Sequence, residues 1–326
     1  MKRSNPFSNI YKICNNGKNE EKYQLILDGK LRKPRYIDIE LTNYCNMNCR
    51  MCPTGTNSIG VSRGFMSSEV VDAIFENVKQ YSISGVRCIG WGEPTIHSDF
   101  WNIVKRIKET GSLIHFNTNG KALHQSDLKR IVDLEVESVK FSFQGTDADS
   151  YHKMRTGGDW AHIFSLLTEL NSIRGEKEFP YIQVTTTITN ETTEQVNGFE
   201  KIIEGVCDYY NIGRTELSHL DIDKMDISEK VKEEIRRLKE TETIEKRHFY
   251  PCPDAFDHFQ VMWNGNVSLC CNDYGNGMII GNVLKNDFEQ IFTGEKANSF
   301  RRDIIEKGYD GMPLCSKCYE WAPRTR

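Results

Sequence analysis

The sequence lacks an apolar run long enough to cross a membrane, and its N-terminus lacks the apolar core of a secretory signal. It also lacks an excess of positive charge, because its 326 residues carry a formal net charge of −4 at pH 7. A dedicated nucleic-acid-binding protein would normally show a basic surface, so this charge balance argues against that class. These absences predict a cytoplasmic protein whose partners include neither membranes nor nucleic acids.

Cysteine, by contrast, is abundant, with 11 residues in the chain. In a reducing cytoplasm, so many cysteines favour metal binding or catalysis over disulfide bonds. The cysteines are also clustered, since three lie within 45–52 and five lie within 252–318. Each cluster is therefore a candidate metal site.

Strand-like and helix-like apolar periodicities alternate through the first two thirds of the chain. The predicted strands are 36–42, 86–91, 112–118, 138–143, 181–188 and 207–213. The predicted helices between them are 67–81, 98–109, 125–134, 159–173 and 194–204. Six strand–helix repeats, the last incomplete, predict an α/β fold with a parallel sheet, either open or closed into a barrel. In parallel α/β barrels the chemistry lies at the carboxyl ends of the strands.

Changes in composition divide the chain into four predicted segments. An N-terminal extension, 1–34, precedes the α/β region, 35–225. A charge-rich helical linker, 226–250, follows that region, with a domain boundary near 245–250. The last segment, 251–326, is predicted to form a hairpin, two helices and a terminal Cys-x2-Cys turn.

The first cysteine cluster, in the sequence LTNYCNMNCRMCP, places Cys45, Cys49 and Cys52 directly after a predicted strand. A closed zinc site needs four ligands, and no fourth cysteine or histidine lies nearby. Thiolates are the ligands of iron–sulfur clusters, and three of them leave one iron of a four-iron cluster open to another ligand. The spacing therefore favours a 4Fe–4S cluster with an open iron. A zinc knuckle completed by a distant ligand is the alternative.

This motif resembles the radical S-adenosylmethionine (SAM) superfamily, and the resemblance covers about residues 36–215. It implies that the amino and carboxylate groups of SAM bind the open iron. One electron then cleaves SAM into methionine and a 5′-deoxyadenosyl radical, which removes a hydrogen atom from the substrate. It also implies a reducing partner such as flavodoxin or ferredoxin.

The resemblance further assigns cofactor-binding positions at the ends of the later strands. The family's Gly-Gly-Glu-Pro motif corresponds to 91–94, where tryptophan replaces the first glycine, and its Thr-Asn-Gly turn corresponds to 118–120. An arginine fork suits the carboxylate of SAM. The implied cofactor-binding residues are Gly92, Glu93, Asn117, Asn119, Ser142, Gln144 and Arg155.

The second cysteine cluster combines Cys252, Cys270, Cys315 and Cys318. Four thiols can form a tetrahedral site, and a structural zinc is one alternative. The arrangement resembles a shortened SPASM or Twitch domain, which binds auxiliary iron–sulfur clusters, and it has ligands for one auxiliary 4Fe–4S cluster. The neighbouring Cys271 leaves open which cysteine of this pair is the ligand.

Together, the resemblances imply a partial (β/α)6 barrel with a small C-terminal iron–sulfur domain, similar to the 2-deoxy-scyllo-inosamine dehydrogenase group. They imply oxidation of a hydroxylated small molecule, such as a sugar or aminocyclitol, with the auxiliary cluster as electron acceptor. A radical epimerase or peptide-modifying maturase is the second hypothesis, and it needs a thiol hydrogen donor, for which Cys271 and Cys207 are candidates. Buried free cysteines more often act as small apolar residues. A non-catalytic electron carrier is the third hypothesis.

No residue stands out in the sequence as the base that would deprotonate a substrate. Asp221, Asp223 and Asp273 are acidic candidates, and His97 lies near the Glu-Pro turn. The sequence therefore predicts how a radical is made more closely than it predicts what the radical attacks.

Overall fold

The computed structural model describes residues 3–10, 19–58, 60–217, 220–240, 252, 254–308, 312 and 314–318. The predicted domain boundary near 245–250, the cysteine at position 14 and the last residues, 319–326, lie outside the described residues.

The strands are β1 (Tyr36–Ile39), β2 (Asn48–Cys49), β3 (Gly85–Cys88), β4 (Leu113–Thr118), β5 (Ser138–Ser142), β6 (Arg155–Thr156), β7 (Tyr181–Ile188), β8 (Tyr209–Arg214), β9 (Gln260–Val261), β10 (Asn266–Ser268) and β11 (Ile279–Asn282). The helices are α1 (Asn19–Leu27), α2 (Ser68–Gln80), α3 (Phe100–Glu109), α4 (Gln125–Asp133), α5 (Ala148–Met154), α6 (Trp160–Arg174), α7 (Thr193–Ile203), α8 (Glu229–Glu240), α9 (Asp254–Asp257), α10 (Phe288–Phe292) and α11 (Glu295–Lys307). None of these described helices is both long and apolar enough to cross a membrane.

The main sheet has the strand order β11-β10-β9-β1-β3-β4-β5-β7-β8. The six strands predicted for the α/β region run parallel to one another, and helices connect them. Their ends, and those of the five predicted helices, lie within three residues of the predicted positions. The α/β prediction, with six repeats and an incomplete last one, is therefore confirmed.

The neighbouring parallel strands β1 and β3 each present an apolar face and a polar face. In β1, Ile37 and Ile39 alternate with Asp38, and in β3 Arg87 lies between Val86 and Cys88; the apolar side chains are all buried. Buried apolar positions on α2 and the following helices belong to the same core as these apolar strand residues. The helices cover the apolar face, so the polar face forms the concave interior of the partial barrel.

An acid–base network occupies the middle of this interior. The guanidinium of Arg87 donates two hydrogen bonds to the Asp38 carboxylate, at 2.6 and 2.7 Å, and His258 Nε2 lies 3.3 Å from the same carboxylate. Burial acts to raise the pKa of Asp38, but the charges of Arg87 and His258 hold it well below its usual range. The network is therefore a paired, buried ion cluster.

The amino end of the barrel is closed by the N-terminal extension. Phe7 and Ile10 are buried against Tyr36, and the Phe7 ring lies 6.0 Å from the His115 ring. A Cβ atom added to Gly85 would lie 2.7 Å from the Phe7 ring, so a glycine lets the extension pack closely. Access to the interior must therefore come from elsewhere, including the carboxyl ends of the strands.

The C-terminal segment continues the main sheet. β9 pairs in parallel with β1, matching Gln260 with Asp38, and β10 pairs antiparallel with both β9 and β11. The turn at Asn264-Gly265 joins β9 to β10, with a positive φ of 81° at Gly265. A loop, 269–278, joins β10 to β11, and it brings Cys270 to the edge of the barrel.

Candidate active site

The first cysteine cluster lies on a tight loop after β1. Cys49 belongs to β2, which pairs antiparallel with β6 and places Cys49 opposite Arg155. A Cβ atom added to Gly55 would lie 2.5 Å from the backbone nitrogen of Cys49, so the loop folds closely on itself. The loop thus holds Cys45, Cys49 and Cys52 in one compact turn, with Arg155 beside it.

Burial dominates the electrostatics of these thiols. It raises the pKa of Cys45 to about 12 and that of Cys49 to about 11, and it also raises the pKa of Cys52. The Arg155 charge opposes the shift at Cys49, and backbone N–H groups of Gly55 and Thr54 oppose it at Cys52. Positive charge and N–H donors therefore surround sulfurs that would become negative when they bind a metal.

The Gly-Glu-Pro motif packs directly on the cysteine loop. A Cβ atom added to Gly92 would lie 2.1 Å from the carbonyl oxygen of Thr42 and 2.5 Å from that of Tyr44. The Glu93 N–H donates a hydrogen bond of 2.9 Å to the Tyr44 carbonyl. Only glycine at position 92 allows this close approach of the two backbones.

The Glu93 side chain joins this motif to the turn after β4. Its carboxylate accepts hydrogen bonds from the Thr95 hydroxyl (2.6 Å), the Thr118 hydroxyl (2.8 Å) and the Asn119 N–H (2.7 Å). The side chain is only 3% exposed. Through these hydrogen bonds, Glu93 positions the two turns around the cysteine loop.

The turn after β4 reaches the first cysteine directly. The Asn119 amide Nδ2 lies 3.5 Å from Cys45 Sγ and donates to the Asn46 side chain at 2.9 Å. The Asn117 side chain points into the barrel, where its Oδ1 lies 2.8 Å from His115 Nε2. Of the two predicted asparagines, Asn119 therefore lies at the rim of the barrel and Asn117 lies inside it.

The remaining predicted cofactor-binding residues differ in how accessible they are. Gln144 is fully buried, and its amide bonds to the hydroxyls of Thr187 (2.6 Å) and Thr215 (2.8 Å), so it ties β5 to β7. Ser142 ends β5 and is partly exposed. Arg155 donates to the Phe143 carbonyl at 3.2 Å, while its Nε is enclosed and has no partner among the described residues.

The four cysteines of the second cluster come together although they are far apart in sequence. The thiol of Cys252 is buried, and negative charge on Asp254, Cys315 and Cys318 would further raise its pKa. Burial likewise raises the pKa of Cys270, with contributions from Cys271 and Cys252. These mutual effects mean that Cys252 lies near Cys270, Cys315 and Cys318, and Cys252 and Cys315 are buried.

The spacing of both cysteine sets fits an iron–sulfur cluster better than one metal ion. Thiolates on a tetrahedral zinc, with bonds of about 2.3 Å, lie only about 3.8 Å apart. Among the described residues, the single group of three potential ligands within 4.8 Å of one another is Asp38, His258 and Cys271. Neither cysteine set contains such a close trio, so a larger cluster suits both. The enclosed Arg155 Nε is a donor that an anionic ligand at the first set could use.

The two candidate hydrogen donors lie in different places. Cys271 Sγ faces the barrel interior, within 4.8 Å of Asp38 and His258. Cys207 precedes β8 and therefore lies at the amino end of the strands, where its thiol donates to the Ile203 carbonyl at 3.2 Å. Because the cysteine loop follows the carboxyl end of β1, Cys207 is at the opposite end of the barrel, and we do not retain it as a donor.

Sequence reasoning missed one buried carboxylate near the first site. Glu40 follows β1, and its side chain lies on the same face as Asp38. Its carboxylate accepts a hydrogen bond from the Trp91 N–H at 2.9 Å. Two acidic residues at alternate positions of a strand that leads into the cysteine loop were the signal that could have revealed it.

Comparison with known families gives two matches along the chain. The radical SAM superfamily matches residues 39–206, and the SPASM iron–sulfur cluster-binding domain matches residues 252–319. These two domains imply 4Fe–4S clusters and SAM as cofactors.

Curated relatives are similar over shorter segments. The tungsten-containing aldehyde ferredoxin oxidoreductase cofactor-modifying protein of Pyrococcus furiosus is 29% identical over 109 residues, which cover 33% of this chain and 30% of that protein. GTP 3′,8-cyclase of Klebsiella pneumoniae subsp. pneumoniae is 30% identical over 141 residues, which cover 42% of each chain. The chain thus spans less than half the length of these curated relatives.

Solved structures match over most of the chain. SuiB of Streptococcus suis bound to precursor peptide SuiA has a TM-score of 0.65 at 15% identity, covering 86% of this chain and 70% of that one. BtrN in complex with AdoMet and 2-DOIA has a TM-score of 0.56 at 16% identity, and the match covers 89% of this chain and 95% of that one. These identities establish a shared fold. Since the family match also spans more than half of the chain, this protein belongs to the radical SAM superfamily and carries a C-terminal SPASM domain.

Proposed function

We propose that this enzyme oxidises an alcohol group of a hydroxylated small molecule, such as a sugar or aminocyclitol, to a ketone. The observation that carries the proposal is the proximity of Cys252 to Cys270, Cys315 and Cys318, three cysteines that are distant from it in sequence. Four thiolates would occupy all four irons of an auxiliary cluster. A cluster closed in this way suits the transfer of electrons better than the binding of a substrate.

The residues at the first cysteine set have complementary tasks in this proposal. When bound, the 4Fe–4S cluster and SAM supply the 5′-deoxyadenosyl radical. Cys45, Cys49 and Cys52 would hold the cluster, with Asn119 donating toward Cys45. Arg155 would bind the carboxylate of SAM through its enclosed Nε–H, which has no other partner among the described residues.

A substrate would enter at the carboxyl ends of the strands. BtrN, whose structure contains AdoMet and 2-DOIA, shares this fold over 95% of its length. The partly exposed Asn117 and Ser142 side chains line the interior near the strand ends and offer hydrogen bonds to hydroxyl groups. A flavodoxin or ferredoxin would supply the first electron.

A second candidate is hydrogen return to a peptide or sugar radical by a thiol. Cys271 favours it, because its Sγ faces the interior beside His258 and Asp38. SuiB, whose structure contains a precursor peptide, has the same fold. In this reading the substrate keeps its oxidation state and gains one hydrogen from the thiol.

The distinguishing experiment is anaerobic turnover in deuterated water. We expect the reconstituted enzyme, with dithionite and SAM, to form 5′-deoxyadenosine and to give a product lighter by two hydrogens than the alcohol. Deuterium incorporation at an unchanged oxidation state would instead favour the thiol donor. Failure to form 5′-deoxyadenosine with every substrate in a panel of sugars, aminocyclitols and peptides would contradict the enzymatic proposal. Mass spectrometry measures 5′-deoxyadenosine, the product lighter by two hydrogens and the deuterium-containing product.

Replacing Cys270 by serine should remove the auxiliary cluster and leave the first one. We expect the iron content to fall from about eight to about four atoms per chain, because a hydroxyl replaces one of four thiolates. SAM cleavage should persist, whereas ketone formation should fall to background. Cys271→Ser is the matched control, since it alters the neighbouring thiol, and it should keep about eight irons. If C271S lost iron and C270S kept it, Cys271 rather than Cys270 would be the ligand.

A further inference from the structure

Glu40 is a buried carboxylate that points into the barrel. It follows Ile39 on β1, and the two-residue periodicity of the strand puts its side chain on the interior face with Asp38. The residue is only 6% exposed. Its carboxylate is thus placed in the reaction space enclosed by the strands and largely removed from water.

The negative charge of this carboxylate has fewer stabilising contacts than that of Asp38 on the same face. Asp38 has Arg87 and His258 beside it, whereas Glu40 accepts one hydrogen bond, from the Trp91 N–H, and forms no ion pair among the described residues. A buried carboxylate without a cation opposes folding, because its charge loses hydration and gains no opposite charge. Burial accordingly raises the pKa of Glu40 to about 7.

Glu40 packs directly against the exposed backbone of Gly90. A Cβ atom at position 90 would lie 2.7 Å from Glu40 Cγ and 2.8 Å from its Oε2, so only glycine fits there without displacing the acid. The buried carboxylate therefore lies directly beneath an exposed segment of backbone.

Contacts link Glu40 to both cysteine sites. Its hydrogen-bond donor, Trp91, immediately precedes Gly92, which packs on the loop of the first site. The Trp91 ring contacts the Tyr274 ring, with centroids 5.2 Å apart, and Tyr274 lies on the 269–278 loop, which carries Cys270. A substrate held between the site that makes the radical and the auxiliary site would thus lie next to this carboxylate.

We propose that Glu40 is a catalytic residue that accepts the hydroxyl proton of the substrate when the alcohol is oxidised. The step rests on the proposed function. With SAM and the clusters bound, the carbon that carries the hydroxyl would lose a hydrogen atom to the 5′-deoxyadenosyl radical. Glu40 would then accept the proton of the O–H bond as the carbon–oxygen double bond forms, and the auxiliary cluster would take up the remaining electron. The alcohol loses one hydrogen atom, one proton and one electron in total, which is the difference between an alcohol and a ketone.

The test compares wild type with Glu40→Gln, both as iron-loaded holoenzymes. Each receives dithionite, SAM and a mixture of carbon-deuterated 2-deoxy-scyllo-inosamine, scyllo-inositol and glucosamine. Both should give deuterated 5′-deoxyadenosine, because hydrogen abstraction needs no base. Ketone per deuterated 5′-deoxyadenosine should fall about 100-fold or more in E40Q, the usual effect of losing a general base.

A second readout needs no turnover, namely the unfolding temperature of the two holoenzymes near pH 5 and near pH 8.5. The pKa of Glu40 in the folded protein, about 7, lies above the ordinary value of about 4.3, so wild type loses stability as the pH rises through this interval. Glutamine cannot ionise, so E40Q should unfold at a higher temperature than wild type near pH 8.5 and at a similar one near pH 5. Both variants share the nearby titratable groups on β1, β3, the segment before β9 and the 269–278 loop, which are Asp38, Arg87, His258, Cys271 and Tyr274.

Four results would overturn the proposal. E40Q that keeps the wild-type ketone yield would remove the need for this base. If E40Q lost both deuterium transfer to 5′-deoxyadenosine and ketone formation, Glu40 would position the substrate instead. Lower stability of E40Q than of wild type at both pH values would make the role of Glu40 structural. Absence of deuterated 5′-deoxyadenosine from wild type would overturn the proposed function itself, and with it the part assigned to Glu40.

Discussion

Replacing Cys49 by serine should reduce 5′-deoxyadenosine formation to background. Cys49 is the buried member of the first cysteine set, and β2 and β6 hold it opposite Arg155. A serine hydroxyl at neutral pH is a poor ligand for iron, and the two remaining thiols cannot hold a four-iron cluster. The measurements are iron content, which should fall by about four atoms per chain, and chromatography of the nucleoside product after addition of dithionite and SAM.

The matched control for this change is Cys207→Ser. Cys207 is also a partly buried thiol, but it lies at the opposite end of the barrel and donates to the Ile203 carbonyl. Its replacement should leave both iron content and SAM cleavage unchanged. If C49S kept wild-type cleavage, the assignment of the cluster to this loop would be wrong.

Replacing Gly92 by alanine should disable the cofactor site without removing any ligand. The new Cβ would lie 2.1 Å from the Thr42 carbonyl oxygen, and both atoms belong to rigid backbone, so one segment must move. A displacement of about 1 Å at a reacting centre typically costs about 100-fold in rate, and overpacking of this kind costs about 1–3 kcal/mol of stability. SAM cleavage and the unfolding temperature should therefore both fall, while the iron content remains high.

Gly198→Ala provides the same substitution at a site without steric conflict. Gly198 lies inside α7, and a Cβ atom there would meet no other atom within 4 Å. Alanine in a helix interior should stabilise the protein by about 0.5–1 kcal/mol and leave SAM cleavage unchanged. A G92A enzyme that cleaves SAM as fast as G198A would contradict the close packing of the motif on the cysteine loop.

The two-residue ladder between β2 and β6 shows where sequence reasoning stopped. Strands of this length carry no periodicity, so neither was predicted, and the pairing of Cys49 with Arg155 depends on two segments more than 100 residues apart. The pairing of β9 with β1 also depends on distant segments, and the sequence assigned β9 to a separate domain. It joins β1 through the register of Asp38 with Gln260, and this pairing extends the main sheet into the C-terminal segment.

Glu93 has a structural role that only its contacts reveal. The family resemblance implied that it binds the cofactor. In the structure its carboxylate accepts hydrogen bonds from Thr95, Thr118 and Asn119, so it also positions the turns that surround the site. A motif specifies which residue is present, while the contacts of that residue show which segments it holds together.

The sequence by itself determined the family, the alternating α/β order and the first cysteine set, because these features are local. Cys45, Cys49 and Cys52 lie on one loop, so their spacing along the chain is almost their spacing in space. Tertiary structure decided the features that join distant segments: the convergence of the second cysteine set, the placement of Arg155 and the lone carboxylate of Glu40. Strand register and burial determine those features, and both arise only when the sheet has formed and its polar face has closed around the interior.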